Sequence, residues 1–189
     1  MHFSDKKKDQ RWKAVDPDGG TADSAGTSSG GYDEFDHAEV SRHIERIGGK
    51  YHIDPDLIRA MIKVESDFNH LAMSRKGAMG LMQIMPGTAK VLGLKDPWDP
   101  YANVEAGTKY MRYLVQRFRG SLRNALAAYN AGPSAVESHG GVPPYRETTE
   151  YVRRVTRYYN AYSSQTRAAA GTQTQGLGRL ALGNARKAS

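Results

Sequence analysis

The sequence predicts a mainly α-helical fold. Apolar residues recur at three- and four-residue spacing in successive segments, no run of five or more residues alternates apolar with polar, and Asp, Asn, Ser, Pro and Gly stand where helices begin and end. Together these favour a domain of packed helices over one built on a sheet.

The helical pattern occupies residues 36–163. Asp36 with Glu39 three residues later forms a capping box for a first helix carrying Val40, Ile44 and Ile47, and Gly48-Gly49 is expected to stop it. A second helix opens at Asp54 with Pro55 in its first position and repeats Leu57, Ile58, Met61 and Ile62 on one face. The segment GAMGLMQIMPGTA at 77–89 follows, where Pro86 limits any helix to a turn or two on each side. Asn103 is expected to cap a long helix through Met111, Leu114 and Phe118 to Gly120. Ser121 caps the next, which reaches Gly132-Pro133, and a last helix spans about Thr149 to Tyr162 with Tyr151, Val152, Val155 and Tyr159 inward.

Both flanks lack this pattern. Within residues 1–35, the stretch DPDGGTADSAGTSSGGY at 16–32 has the composition of a flexible linker. Residues 164–189 are Ala, Gly, Gln and Arg with three leucines, which reads as a mobile cationic tail. Met1 to Pro17 holds no apolar stretch of the kind a secretory signal needs, so the protein is either not exported or begins here after its signal.

Composition closes several routes. With no cysteine among 189 residues, a disulfide framework, a thiolate metal site and a cysteine nucleophile are excluded. No run approaches the roughly 20 apolar residues of a membrane-spanning helix. The six histidines, at 2, 37, 43, 52, 70 and 139, place no two at ligand spacing on one helical face, so no metal is expected. The net charge of +7 points to an anionic polymer. Residues 37–163 carry 18 basic and 12 acidic side chains and the tail carries 4 and none, whereas residues 1–36 carry 5 and 8. Arg153, Arg154 and Arg157 beside Tyr158 and Tyr159 raise a nucleic-acid reading, but a solvated basic stripe next to an aromatic core stripe explains them more simply, and no nucleic-acid partner is expected.

Glu65 is the most informative residue. It lies seven residues after Ile58, four after Met61 and three after Ile62, so a continuing helix puts it on their buried face. Burial and the negative end of the helix dipole would both push its pKa up and keep it protonated near neutrality, as a general acid requires. The alternative is a side chain that frays into solvent or pairs with an arginine. Gln83, a lone amide among Gly, Leu, Met and Ile, either finds buried partners, faces a cleft, or sits on the wet side of a helix. Tyr129-Asn130-Ala131-Gly132 is either a glycine-capped helix end or a pair of polar tips at a pocket rim.

Five motifs in order, Tyr51-His52-Ile53-Asp54-Pro55, Val64-Glu65-Ser66, Gly77 to Pro86, Ala128 to Gly132 and Glu147-Thr148-Thr149-Glu150-Tyr151-Val152, span about 100 residues. Here the chain resembles the soluble lytic transglycosylase (SLT) domain, a goose-type-lysozyme-like module of glycoside hydrolase family 23. The resemblance implies a lysozyme-like helical domain with a substrate cleft, acting on peptidoglycan glycan strands in the cell envelope without a cofactor; a monomer is expected. It implies that Glu65 is the single acid and base. Ser74 would contact substrate or position the acid, although Arg75 follows it where proline is common. Gln83, Met85, Tyr129 and Asn130 would hold sugar, and the hydroxyl of Tyr151 would reach Glu65. The implied reaction cleaves the β-1,4 bond between N-acetylmuramic acid and N-acetylglucosamine and leaves a 1,6-anhydro end. Two alternatives stand beside it. One is a hydrolytic muramidase of the same fold, with a second carboxylate among Asp67, Glu105, Glu137, Glu147 and Glu150; the other is a wall-binding module without activity.

Overall fold

The protein's computed structural model describes residues 37–185, with the side chains of residues 37–171. The expected N-terminal linker and the Asp36 cap lie outside these. The described part is helical, as the periodicity requires, and its only strand-like pairings are isolated bridges, Met73 with Met79 and Met79 with Ile84.

Helix α1 (His37–Tyr51) turns Val40, Ile44 and Ile47 into the core. It does not stop at Gly48-Gly49. Gly48 serves close approach instead: a Cβ there would lie 2.7 Å from the Ile53 carbonyl oxygen and 2.8 Å from Pro55. The helix ends two residues later, where His52 takes a left-handed φ of 53°. Ile53 N–H donates to Gly48 O at 3.0 Å and His52 N–H to Gly49 O at 3.4 Å, the two reverse bonds of a Schellman ending.

Helix α2 (Pro55–Glu65) forms as expected. Asp54 caps it by accepting from Asp56 N–H at 2.9 Å, and Pro55 takes the first position, where its missing N–H has no consequence. Ile58, Met61 and Ile62 are fully buried, and burial of such a side chain contributes about 1.5–3 kcal/mol. A loop then leads to α3 (Pro86–Leu92), which Gly93 ends in the left-handed region at φ 73°.

Helix α4 (Pro100–Arg117) corrects the expected start. Asp99 caps it, accepting from the N–H groups of Tyr101 and Ala102, and Pro100 occupies the first turn. Asn103 lies inside the helix, fully buried. Helix α5 (Leu122–Ala131) starts on Ser121 and closes at Gly132, φ 90°, as expected. Pro133 does not end helical structure, because proline at a first position starts the short α6 (Pro133–Ser138).

Helix α7 (Arg146–Ala185) begins earlier and runs much further than the expected Thr149–Tyr162. Val155 is fully buried on it, while residues 164–171 are all exposed, so the part expected to be a mobile tail is helical but buries no face among the described residues. Helix α2 packs chiefly on α7, α1 on α4 and α2, and α5 on α4, α6 and α7. Tyr159 on α7 donates its hydroxyl to Asp54 Oδ2 at 2.8 Å, tying α7 to the start of α2. No described helix is long and apolar enough to cross a membrane.

Thr108 in α4 is fully buried and its Oγ1 makes no hydrogen bond. Thr108→Val replaces it with a methyl of similar shape. The variant is expected to be more stable by about 1 kcal/mol, seen as a higher urea midpoint at unchanged slope.

Candidate active site

Glu65 is the last residue of α2 and shares the inward face of Met61 and Ile62. It is only 6% exposed, so it neither frays into solvent nor behaves as a surface carboxylate. The hydroxyl of Tyr151, in the second turn of α7, donates to Glu65 Oε1 at 2.8 Å. Burial first, and the nearby Glu65 charge second, hold the Tyr151 phenol well above its usual pKa. The phenol therefore remains a donor across the physiological range, and Oε1 remains an acceptor.

The loop from Ala72 to Ile84 is fastened to Ser66, the residue after Glu65, and is turned tightly on itself. Gly77 and Gly80 take φ of 79° and 77°, and Gln83, unusually for a residue with a Cβ, takes 48°. Ala78, Leu81, Met82 and Ile84 are buried, so the backbone polar groups between them need partners away from water. Side chains from three other elements supply them. Ser66 Oγ donates to Leu81 O at 2.9 Å, and Tyr129 from α5 donates its hydroxyl to Met82 O at 2.9 Å. Asn103 from α4 donates to Met79 O and Pro97 O, both at 2.9 Å, and accepts from Met82 N–H at 2.8 Å. A Cβ on Gly80 would collide with this Asn103 amide.

Gln83 completes the set from within the loop. Its Nε2 donates to Ala72 O at 2.8 Å and Gly80 O at 2.9 Å. Two carbonyl acceptors fix the amide's orientation, since only the NH2 end can serve both. Both of its N–H donors are therefore occupied within the loop.

Tyr129 stands on α5 with only 1% exposure. Its phenol is pushed well above the usual pKa by burial and then by the Glu65 charge, which places it in the same electrostatic environment as Tyr151. Its hydroxyl is turned inward to the loop and not to a pocket rim. Asn130, next along α5, is buried, and its Oδ1 accepts from Thr148 Oγ1 of α7 at 2.9 Å.

Of the residues singled out from sequence, Glu65, Tyr151, Tyr129, Gln83 and Asn130 are thus drawn toward the junction of α2, α5, α7 and the loop. Ser74 closes the loop's own turn: its Oγ accepts from Ala78 N–H at 3.0 Å, beside the Ser74 N–H bond to Ala78 O at 2.9 Å. Met85 is half-buried and precedes Pro86 at the start of α3. Sequence reading missed the supporting roles of Ser66, Asn103 and Thr148. A signal for Asn103 was available, because it shares its helical face with Gly107, Tyr110 and Leu114, where an amide has to find buried partners.

The other carboxylates considered for a second catalytic role are mostly committed to cations. Asp67 pairs with Lys63, Glu137 with Arg117, and Glu150 with Arg153, while Glu105 accepts from Lys50 at 2.6 Å and Tyr51 at 2.8 Å. Among the described residues no group of three or more His, Asp or Glu side chains could hold a metal ion.

Residues 42–152 match the family described as the transglycosylase SLT domain. The chain is 41% identical to a transglycosylase of Enterobacteria phage PRD1 over a stretch covering 44% of this chain and 31% of the phage protein. It is 37% identical to the soluble lytic murein transglycosylase of Escherichia coli, over 52% of this chain and 19% of that protein. Among solved structures, an inactive glutamate-to-glutamine mutant of the lytic transglycosylase Slt from Pseudomonas aeruginosa superimposes with a TM-score of 0.62 at 28% identity, covering 67% of this chain and 24% of that one. The fold is the helical, lysozyme-like one these proteins share. The chain spans a third or less of the length of these relatives.

Asn103→Ala removes three bonds and leaves Met82 N–H and Pro97 O without partners. It is expected to lower stability by about 2 kcal/mol, chiefly from the buried Met82 N–H at about 1–3 kcal/mol, with the part-buried Pro97 carbonyl adding less, measured by urea unfolding.

Proposed function

The chain belongs to the transglycosylase SLT domain family, and from that membership we propose that it is a peptidoglycan lytic transglycosylase. It would cleave the β-1,4 bond between N-acetylmuramic acid and N-acetylglucosamine and form 1,6-anhydro-N-acetylmuramic acid. The observation that carries this reading is the buried Glu65 carboxyl with Tyr151 donating to one of its oxygens.

The chemistry follows from that pairing. Since Oε1 receives the Tyr151 proton, we place the transferable proton on Oε2. Glu65 gives that proton to the glycosidic oxygen as the bond to C1 breaks, and the N-acetylglucosamine portion leaves with a hydroxyl. The substrate's own acetamido oxygen shields the cationic C1 from the opposite side. Glu65, now a carboxylate, takes the proton of the C6 hydroxyl as O6 bonds to C1. The proton lost in the first step is regained in the second, and no water is consumed. One carboxyl suffices, whereas ordinary glycosidases need two at defined separation. Tyr151 is the positioning residue, and Gln83, Met85, Tyr129 and Asn130, with Ser74 further along the loop, are the residues we assign to holding sugar directly or through the loop.

The pairing of Asp67, Glu105, Glu137 and Glu150 with cations or phenol disfavours the muramidase reading, because a base for water must be free to take a proton. We further propose that the enzyme works as a monomer in the cell envelope on peptidoglycan, that residues 36–163 form its catalytic domain between two accessory flanks, and that its charge of +7 assists attachment to the anionic wall.

Glu65→Gln keeps size and hydrogen bonding but removes the transferable proton. Activity on purified peptidoglycan is expected to fall by about 10²–10⁴, with the fold retained by circular dichroism. Mass analysis of wild-type products should find anhydro ends, one water lighter than hydrolytic products. Reducing ends would establish the muramidase instead.

A further inference from the structure

His43 is buried on the inner side of α1, and both of its ring nitrogens meet partners of fixed polarity. At one nitrogen, Nε2 lies 3.1 Å from the backbone carbonyl oxygen of Tyr101 in the first turn of α4, a group that can only accept. At the other, Nδ1 lies 2.7 Å from Nη2 of Arg46, one turn further along α1, a group that can only donate. The neutral ring therefore carries its proton on Nε2, which donates to Tyr101, and its Nδ1 lone pair accepts from the guanidinium. The imidazole also meets the Tyr101 ring edge to face, with centroids 5.1 Å apart.

A second proton has one place to go, Nδ1, and there it would oppose a donor that is itself a cation. The other charged groups facing the ring belong to the start of α4, and both are engaged elsewhere. Glu105 accepts from Lys50 at 2.6 Å and from Tyr51 at 2.8 Å, and Asp99 Oδ1 accepts from the N–H groups of Tyr101 and Ala102. We propose that His43 is an acid-sensitive latch between α1 and α4: the neutral ring fastens the two helices, and its protonation breaks the Arg46 bond and loosens the junction. Burial first and the Arg46 charge second hold the imidazole below its ordinary pKa of 6.5, against the Tyr101 carbonyl and the two carboxylates, which act the other way. As pH falls through 6.5 the unfolded chain takes up this proton before the folded chain does, so the latch's stabilisation is complete above that value and declines below it. Asn103, which holds Met79 and Met82 of the loop, lies two residues past Tyr101, so the latch fastens the helix that fastens the loop.

The test is urea unfolding of the full chain at about pH 7.5 and about pH 5.5, read as the ratio of the two unfolding constants. A ring that stays neutral in the folded chain across this interval contributes a rise of about tenfold at most. His43→Gln, which cannot titrate, is expected to remove severalfold of the parent's rise. Arg46 is exposed, so it can be changed without opening the core. Arg46→Glu sets an acceptor against Nδ1 that receives the second proton, and it should cut the rise at least about threefold even where His43→Gln folds poorly. Nitrogen-15 NMR of the parent near neutral pH should find the His43 ring protonated on Nε2 and bare on Nδ1. A neutral ring that carries its proton on Nδ1 overturns the latch, and so does a pH response that Arg46→Glu leaves undiminished.

Discussion

A backbone loop buried in the centre of a helical domain has to find partners for its N–H and C=O groups, and here that requirement organises the whole site. The residues from Ala78 to Ile84 are nearly all inaccessible to water yet belong to no helix. Two isolated bridges satisfy a few of their polar groups. The others are met by side chains of Ser66 at the end of α2, Asn103 within α4, Tyr129 on α5 and Gln83 in the loop itself. An unmet buried group would cost about 1–3 kcal/mol, a sizeable part of the stability of any domain. The loop therefore fixes how three helices stand to one another, and the helices fix the loop. Glu65 is held at the seam because its neighbour Ser66 is one of the fastenings.

The same constraint explains why polar residues around Glu65 are spent as they are. Tyr129 and Gln83 look like ligand-binding groups in a sequence, but their donors are used on Met82, Ala72 and Gly80 carbonyls. At the end of α2, the carboxyl of Glu65 is steadied by a phenol that burial keeps protonated. The electrostatics concentrate on that carboxyl, because the paired surface acids Asp67, Glu137 and Glu150 already have their cations.

Helical periodicity made the fold class readable, and Glu65 was readable because an acid stood on a strictly apolar face. The starting signals were read unevenly. Asp54-Pro55 was recognised as a cap and first turn, whereas the same dipeptide at Asp99-Pro100 was passed over for Asn103, whose place inside the helix follows from Pro100 taking the first turn. Glycine misled at Gly48-Gly49, where Gly48 allows close approach to Ile53 and does not end the helix. Proline misled at Pro133, which opens a helix rather than barring one. The far end of α7 was not readable from burial at all, since residues beyond Ser163 carry no inward stripe. The pairing of Thr148 with Asn130 joins residues 18 apart in sequence, and no local pattern announces such a contact.

Two phenols on α7 touch the two ends of α2, Tyr151 at Glu65 and Tyr159 at Asp54. The helices run antiparallel, so these contacts act like two marks on a ruler laid against a scale. If α7 slipped along α2 by a single residue, its side chains would turn by about 100° and both marks would be lost together. The height of Tyr151 against the carboxyl is thus gauged some 12 Å away, eight residues along α7 at 1.5 Å each, by a cap residue that touches no reacting atom. Alignment at the chemical centre is in this sense a property of the length of a helix, checked at its far end.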